Sequence, residues 1–207
     1  MPHEAAKQSA RVSKGDATRQ RILDAAARLF RERGYSAVRL IDIADAAKLQ
    51  KASLYFHFSS REEIVEHVLN TGVERVFDAV RARVLALPSN ATWRARIEAG
   101  MQEHLRLALL QDDYTSANVR IYAHVPASVQ KRHSALRQRY GGYWRKLVAG
   151  AAEAGELRAD LDASIIRMFM LGSVTWSVEW YRPGGRLSLE EIARQLTSIL
   201  FDGAAAR

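Results

Sequence analysis

The sequence predicts an all-α chain, and three observations predict it. Apolar residues recur at helical spacing along most of the 207 residues. Helix-start signatures of the Ser-x-x-Glu type stand at Ser60 and Ser188. The periodic segments are separated by stop or turn residues at Gly34, Pro88, Asp112-Asp113, Pro126, Gly155 and Pro183-Gly184-Gly185. The expected layout is about nine helices: a flexible basic tail over 1–16, a three-helix head over 17–60, and a larger helical domain over 61–207.

The first helix is read from Thr18 to Phe30, where Ile22, Leu23, Ala26, Leu29 and Phe30 share a face and Gly34 supplies the C-terminal stop. Arg39 to Phe58 then reads as two short helices joined by a tight turn. Ile43, Ala44 and Ala47 give the first its apolar side, Ala44 is small enough for close helix contact, Leu49 plugs the turn, and Leu54 fastens the second helix to the core. Gln50, Lys51, Ser53, Tyr55 and His57 are left pointing outward, short polar groups suited to phosphates and base edges. This is a helix-turn-helix pattern. Ser60 and Glu63 then form a capping box that starts a fourth helix at about Arg61, running to about Ala86.

Pro88-Ser89-Asn90 ends that helix and begins a fifth, Thr92 to Leu110; a sixth runs from about Thr115 to Ala123, and Pro126 opens a long seventh that ends near Gly155. Ser164 to Tyr181 is the most apolar stretch. Arg167, Glu179 and a length barely equal to one bilayer crossing argue against a membrane span, so the helix is expected to be buried on several sides, one of them against a second copy of the chain. The last helix follows the Ser188 cap and carries Ile192, Leu196, Ile199 and Leu200 as a stripe.

Composition narrows the chemistry. The absence of cysteine excludes disulfides, thiolate metal sites and cysteine nucleophiles. The formal charge of +8 suits a polyanionic partner, and Lys7, Arg11, Lys14, Arg19 and Arg21 in or beside the tail are placed to lie along a DNA backbone. The first residues lack the apolar core of a signal peptide, and a cytoplasmic location is expected. His104, Asp112, Asp113, His124 and His133 fall into no metal-ligand or triad spacing, and Gly141-Gly142 lacks the context of a phosphate loop, so neither a metal, a cofactor nor an enzyme is expected. Met101, His104, Leu105, Leu109, Val119, Tyr122, Tyr140, Trp144, Phe169 and Trp176 are candidates to line a cavity with aromatic walls and few polar handles.

The order Gly34-Tyr35, Ile43-Ala44, Ala46-Ala47, Lys51-Ala52-Ser53-Leu54-Tyr55, His57-Phe58 and Ser60-Arg61-Glu62 resembles the DNA-binding domain of the TetR family of bacterial regulators, over roughly Thr18 to Val68. The resemblance implies phosphate contacts from Lys51, Tyr55, His57 and Arg61, and base-edge contacts from Gln50, Ala52, Ser53 and Phe56. Three positions depart from the family pattern. Arg39 stands where a Ser or Thr cap is usual and is placed to reach a phosphate; Lys48 replaces the turn glycine, strained but positive beside DNA; Gln50 replaces a common Ser and brings an amide that can pair with adenine.

The resemblance further implies a homodimer formed through the last two helices, a palindromic double-stranded DNA operator, and a ligand in the middle domain that displaces the fourth helix. The segment Trp176 to Ser188 is similar to the tail of TetR-like regulators of lipid, steroid or aromatic-acid catabolism, several of which sense CoA thioesters. Arg120, Arg137, Arg145, Lys146, Arg167 and Arg182 are candidate cations for the phosphates of such an effector. The implied function is a repressor released by a small hydrophobic effector. Two rivals are a ligand-independent architectural DNA-binding protein on the same scaffold and a helical enzyme.

Overall fold

A computed structural model describes residues 14–203, and among them the secondary structure is wholly helical. The order is α1 (Lys14–Arg33), α2 (Leu40–Ala46), α3 (Lys51–His57), α4 (Arg61–Leu85), α5 (Trp93–Arg106), α6 (Asp113–Ile121), α7 (Ala127–Glu153), α8 (Ala163–Trp180) and α9 (Leu189–Asp202). A π turn, Leu107–Gln111, joins α5 to α6, and a 3-10 turn, Tyr122–His124, joins α6 to α7. The fifth and sixth helices expected from sequence are therefore each closed by a tighter or wider turn. The first starts earlier than expected, so residues 14–16, read as tail, are helical. The rest of that tail, with Lys7 and Arg11, lies outside the described residues.

Local chemistry fixes the boundaries. Gly34, at φ +76°, donates its N–H to the Phe30 carbonyl and ends α1. Ser60 accepts from the Glu63 N–H at 3.1 Å, while the Glu63 carboxylate takes both the N–H and the hydroxyl of Ser59, which holds its pKa below the usual carboxylate range. Thr92, Asp112, Asp162 and Ser188 cap α5, α6, α8 and α9 with their side chains. From α6 the Ser116 hydroxyl reaches back to donate to the Ala108 carbonyl of the π turn at 2.6 Å, occupying a backbone oxygen where the wide turn interrupts the ladder.

The chain packs around two cores, and they do not divide where the sequence placed its boundary. The first joins Ile22, Ala26 and Phe30 of α1, Ile43, Leu54 and Phe58 of the head, Ile64, Val68 and Leu69 from the first half of α4, and Tyr114, Ala117 and Ile121 of α6. The second joins Val73, Val76 and Val80 from the second half of α4 with Ile97, Leu105, Trp144, Val148, Met170, Val174 and Ile192 of α5, α7, α8 and α9. Helix α4 runs through both, and α6 belongs to the core of the head. Among the described residues no helix is long and apolar enough to cross a membrane.

Candidate nucleic-acid interface and effector cavity

Helix α3 is anchored by one side only. Leu54 and Phe58 are fully buried, whereas Gln50, Lys51, Ala52, Tyr55 and Phe56 are exposed and Ser53 and His57 half-buried. Phe56 is 87 % exposed, its ring perpendicular to that of His57 with 5.4 Å between centroids. Burying a phenylalanine is worth roughly 1.5–3 kcal/mol, so a side chain this bare is a contact surface awaiting a partner. A thymine methyl in the major groove is such a partner. Tyr55, 48 % exposed, carries the Lys51 ammonium 5.9 Å from its ring centroid.

The turn that presents α3 is a Schellman motif built on a lysine. Leu49 donates to the Ala44 carbonyl at 2.9 Å, Lys48 to that of Asp45 at 3.0 Å, and Lys48 sits at φ +56°, the only non-glycine residue with positive φ among those described. Its ammonium is thereby held on the exposed side of the turn. At the other end of α2 no side chain supplies the Ser or Thr cap; the Asp42 carboxylate instead accepts the Arg39 N–H at 2.7 Å, the returning half of a capping box, and pairs with the Arg39 guanidinium at 3.2 Å. That pairing holds Asp42 below the usual carboxylate range.

Two cations expected at DNA are already engaged. The Arg61 guanidinium lies 4.0 Å from the Tyr35 ring centroid and donates to the Tyr35 carbonyl, tying α4 to the end of α1. Arg19 lies 4.7 Å from the Phe58 ring centroid and contacts His67 Nε2 at 2.6 Å. Burial, then the Arg19 charge, pushes the His67 pKa down, which leaves Nε2 free to accept. Arg19 and Arg61 thus pin the head to α4. Arg21 remains exposed.

A cavity of about 280 Å³ lies at the seam between the two cores. Its walls are Gly72, Val73 and Val76 of α4, His104 of α5, Thr115, Asn118 and Val119 of α6 with Tyr122 and Ala123 beyond it, Arg137, Tyr140 and Gly141 of α7, and Arg167, Leu171 and Thr175 of α8. Four of the ten residues proposed from sequence, His104, Val119, Tyr122 and Tyr140, line it. Met101, Leu105 and Trp144 instead fill the second core, each almost fully buried. Leu109 borders a separate depression with Arg120 and Arg182. Phe169 and Trp176, 52 % and 67 % exposed, point away from the cavity on the outer side of α8. Of the candidate cations, Arg137 and Arg167 line the cavity, whereas Arg145 and Lys146 are exposed elsewhere.

The cavity is cationic and otherwise neutral. Its lining holds two arginines and no carboxylate. Arg137 stacks 3.6 Å from the Tyr122 ring centroid, and burial lowers its pKa. Arg167 Nε is buried without an acceptor, a deficit of about 1–3 kcal/mol. At the inner end the Tyr140 hydroxyl and His104 Nδ1 are 2.8 Å apart; burial pushes the tyrosine up and holds the histidine down at about 4, so both are neutral.

A polar lattice surrounds the seam, and no sequence motif signals it. Asn118 donates to the Leu69 carbonyl at 2.8 Å, and Thr115 to that of Gly72 at 3.2 Å, fixing α6 across α4. His133 Nδ1 is 2.6 Å from Asn70 Oδ1 and its Nε2 3.3 Å from Asn118 Nδ2, so one ring nitrogen donates and the other accepts. That arrangement requires the neutral imidazole, and burial, then the charge of Arg137, lowers the pKa to about 4. On the opposite side of α6, Tyr114 donates to Asp24 at 2.7 Å and Arg31 pairs with Asp113 at 3.1 Å. Among the described residues no group of three or more His, Cys, Asp or Glu is placed to hold a metal ion.

Residues 22–68 match the family model described as bacterial regulatory proteins, tetR family, and residues 90–204 match that of the tetracyclin repressor-like C-terminal domain. The chain is 33% identical over 194 residues to the HTH-type transcriptional repressor KstR2 of Rhodococcus jostii (strain RHA1), covering 91% of each chain. The structure of AibR in complex with isovaleryl coenzyme A and operator DNA superposes with a TM-score of 0.79 at 26% identity, covering 89% of this chain and 98% of that one. The ketosteroid transcriptional regulator KstR2 of Mycobacterium tuberculosis superposes with a TM-score of 0.73 at 28% identity, covering 91% and 95%.

Proposed function

Because the chain belongs to the TetR family of bacterial regulators, we propose that it is a ligand-responsive repressor that binds a palindromic operator as a homodimer and is released by a small acyl-CoA thioester. The observation that carries this reading is the pairing of a bare DNA-facing α3 with a cationic cavity at the seam behind it. In the operator, Lys48, Lys51, Tyr55 and His57 face phosphates, while Gln50, Ala52, Ser53 and Phe56 face base edges. Arg39 and Arg61 serve mainly the head itself, through Asp42 and Tyr35.

Release follows from where the cavity sits. Ligand entering at the seam presses on Gly72, Val73 and Val76 of α4 and on Thr115, Asn118 and Val119 of α6, and both helices also belong to the core of the head. The two heads of the dimer must present α3 to major grooves one helical turn apart, about 34–36 Å. A shift of α4 spoils that spacing, provided that the effector binds the shifted state more tightly than the DNA-competent one. The protein acts in the cytoplasm, where its operator lies. That AibR is seen with both isovaleryl coenzyme A and operator DNA supports the pairing of ligand and DNA on this scaffold.

The test is selection of bound duplexes from a random DNA pool at near-physiological salt, since salt sets the nonspecific background. An inverted repeat is expected, and Gln50→Ala should change the base preferred at one position of each half-site. Recovery of no shared sequence would sink the reading.

A further inference from the structure

His104, Thr115, Asn118 and Tyr140 are the polar side chains buried in the lining of the seam cavity, and all but one of them have spent their hydrogens. Thr115 donates to the Gly72 carbonyl and to Asp112, and Asn118 to the Leu69 carbonyl and to His133. The Tyr140 hydroxyl and His104 Nδ1 share one hydrogen across 2.8 Å. The phenol supplies it, because a phenol O–H is a stronger acid than a neutral imidazole N–H and makes the stronger bond to the imidazole nitrogen. Burial keeps His104 neutral, so its own hydrogen stands on Nε2. That Nε2 has no partner among the described residues, yet unlike Trp144 Nε1 and Arg167 Nε it is not sealed off, and the residue keeps 6 % of its surface open.

We propose that His104 is a specificity residue for the effector, donating from Nε2 to an uncharged carbonyl oxygen of the acyl group, and that Tyr140 is the positioning residue that fixes its ring. A neutral imidazole offers a hydrogen and no charge, so a carboxylate gains no ion pair from it. A plain hydrocarbon displaces the water that would otherwise meet this donor and leaves it buried without an acceptor, which is costly. A carbonyl satisfies it, while Val73, Val76 and Leu171 take the apolar part of the same group. The oxygen of the thioester itself and that of a ketone farther along the acyl group offer the same chemistry. The inference rests on the thioester reading and adds to it the atom that is recognised.

The test starts from whichever of isovaleryl-, hexanoyl-, benzoyl- and stearoyl-CoA binds the full chain most tightly by calorimetry and releases a bound operator by fluorescence anisotropy. That ester is compared with its thioether, in which a methylene replaces the carbonyl, and with an analogue carrying a ketone at the far end of the acyl group. Wild type should prefer the oxygen-bearing member of at least one pair by about tenfold: ester over thioether if the thioester oxygen is read, ketone over plain ester if the distal one is. His104→Leu should erase that preference, the other member of the pair serving as the reference for any change in packing. His104→Gln, whose amide still donates, should keep part of it, and Tyr140→Phe should shrink it; if His104→Leu fails to fold, Tyr140→Phe carries the test. Equal affinities within both pairs, or an undiminished preference in the folded variant, would overturn the proposal while leaving the thioester reading standing. If none of the four esters binds or releases a bound operator, the thioester reading itself fails and the proposal goes with it.

Discussion

Lys48 closes the turn between α2 and α3, donating its N–H to the Asp45 carbonyl at 3.0 Å. The departure from glycine is legible without a structure, and the observed φ of +56° meets the expectation of a left-handed residue in the turn. A side chain there costs on the order of 1 kcal/mol. Lys48→Gly is accordingly expected to raise the urea midpoint by an amount worth about 1 kcal/mol, and to lower the slope of log affinity against log salt for operator binding by about one unit if the ammonium meets a phosphate. Arg61 and Arg19 were not legible in this way, because their partners Tyr35, Phe58 and His67 come together only through folding. The buried histidines make a second prediction. His104 and His133 are both held near 4 against an ordinary value of 6.5, so the unfolded chain takes up more protons than the folded one between those limits. The contribution of these two histidines is full above about pH 6.5, falls as pH drops toward 4, and levels below it, with His104 alone worth about 3 kcal/mol across the window. Urea titrations between pH 7 and 4 should show this slope, and His104→Gln should flatten it; an unchanged slope in that variant would remove His104 as its source.

At the scale of elements, helix boundaries were legible because caps and periodicity are local: Gly34 and Ser188 do in the structure what their sequence positions predict, and Ser60 caps α4, although the Glu63 carboxylate expected to return to Ser60 bonds Ser59 instead. The allegiance of α6 was not, since nothing in Asp113–Ile121 says that Tyr114, Ala117 and Ile121 will pack with a head some ninety residues earlier. This allegiance makes α6 a link between cavity and DNA-binding surface equal to α4. One face of it lines the cavity; the other is bonded to Asp24 and Arg31 of α1. The crossing of the two links is set by Gly72, where a Cβ would stand 2.4 Å from the Tyr114 carbonyl oxygen. Gly72→Ala must therefore push α6 from α4, breaking or stretching the Thr115 and Asn118 bonds. A loss of about 1–3 kcal/mol in unfolding free energy is expected, together with weaker operator binding in the absence of any effector. Chemical denaturation and anisotropy titration check both; wild-type operator affinity in a destabilised Gly72→Ala protein would show that this crossing does not set the DNA-competent state.

For the whole molecule, the decisive feature is a surface that one chain cannot cover. Ile165, Met168, Phe169, Trp176 and Trp180 form an exposed apolar row along α8, and Ile199 extends it onto α9. The sequence marked α8 as apolar nearly all round but could not say which residues face the cavity and which face away, since both demand the same residue types. That ambiguity placed Phe169 and Trp176 in the cavity list, and three-dimensional packing alone assigns them to the outer row. An apolar patch of this extent on a monomer marks an interface, and a two-fold arrangement places the same row of each protomer against its copy. The consequence reaches the DNA. A second head tethered at the right spacing makes its binding intramolecular and gains about 10²–10⁴ in affinity without any new contact to DNA. Replacing Met168 and Trp176 together by Glu sets charges against each other across the two-fold axis, far from α3. The variant should sediment as a monomer with helical content unchanged, lose two or more orders of magnitude of affinity for the inverted repeat, and keep the weak affinity of the wild type for a single half-site. A variant that stays dimeric would show that the α8 row is not the interface; one that becomes monomeric yet binds the full operator undiminished would show that the two heads never acted together.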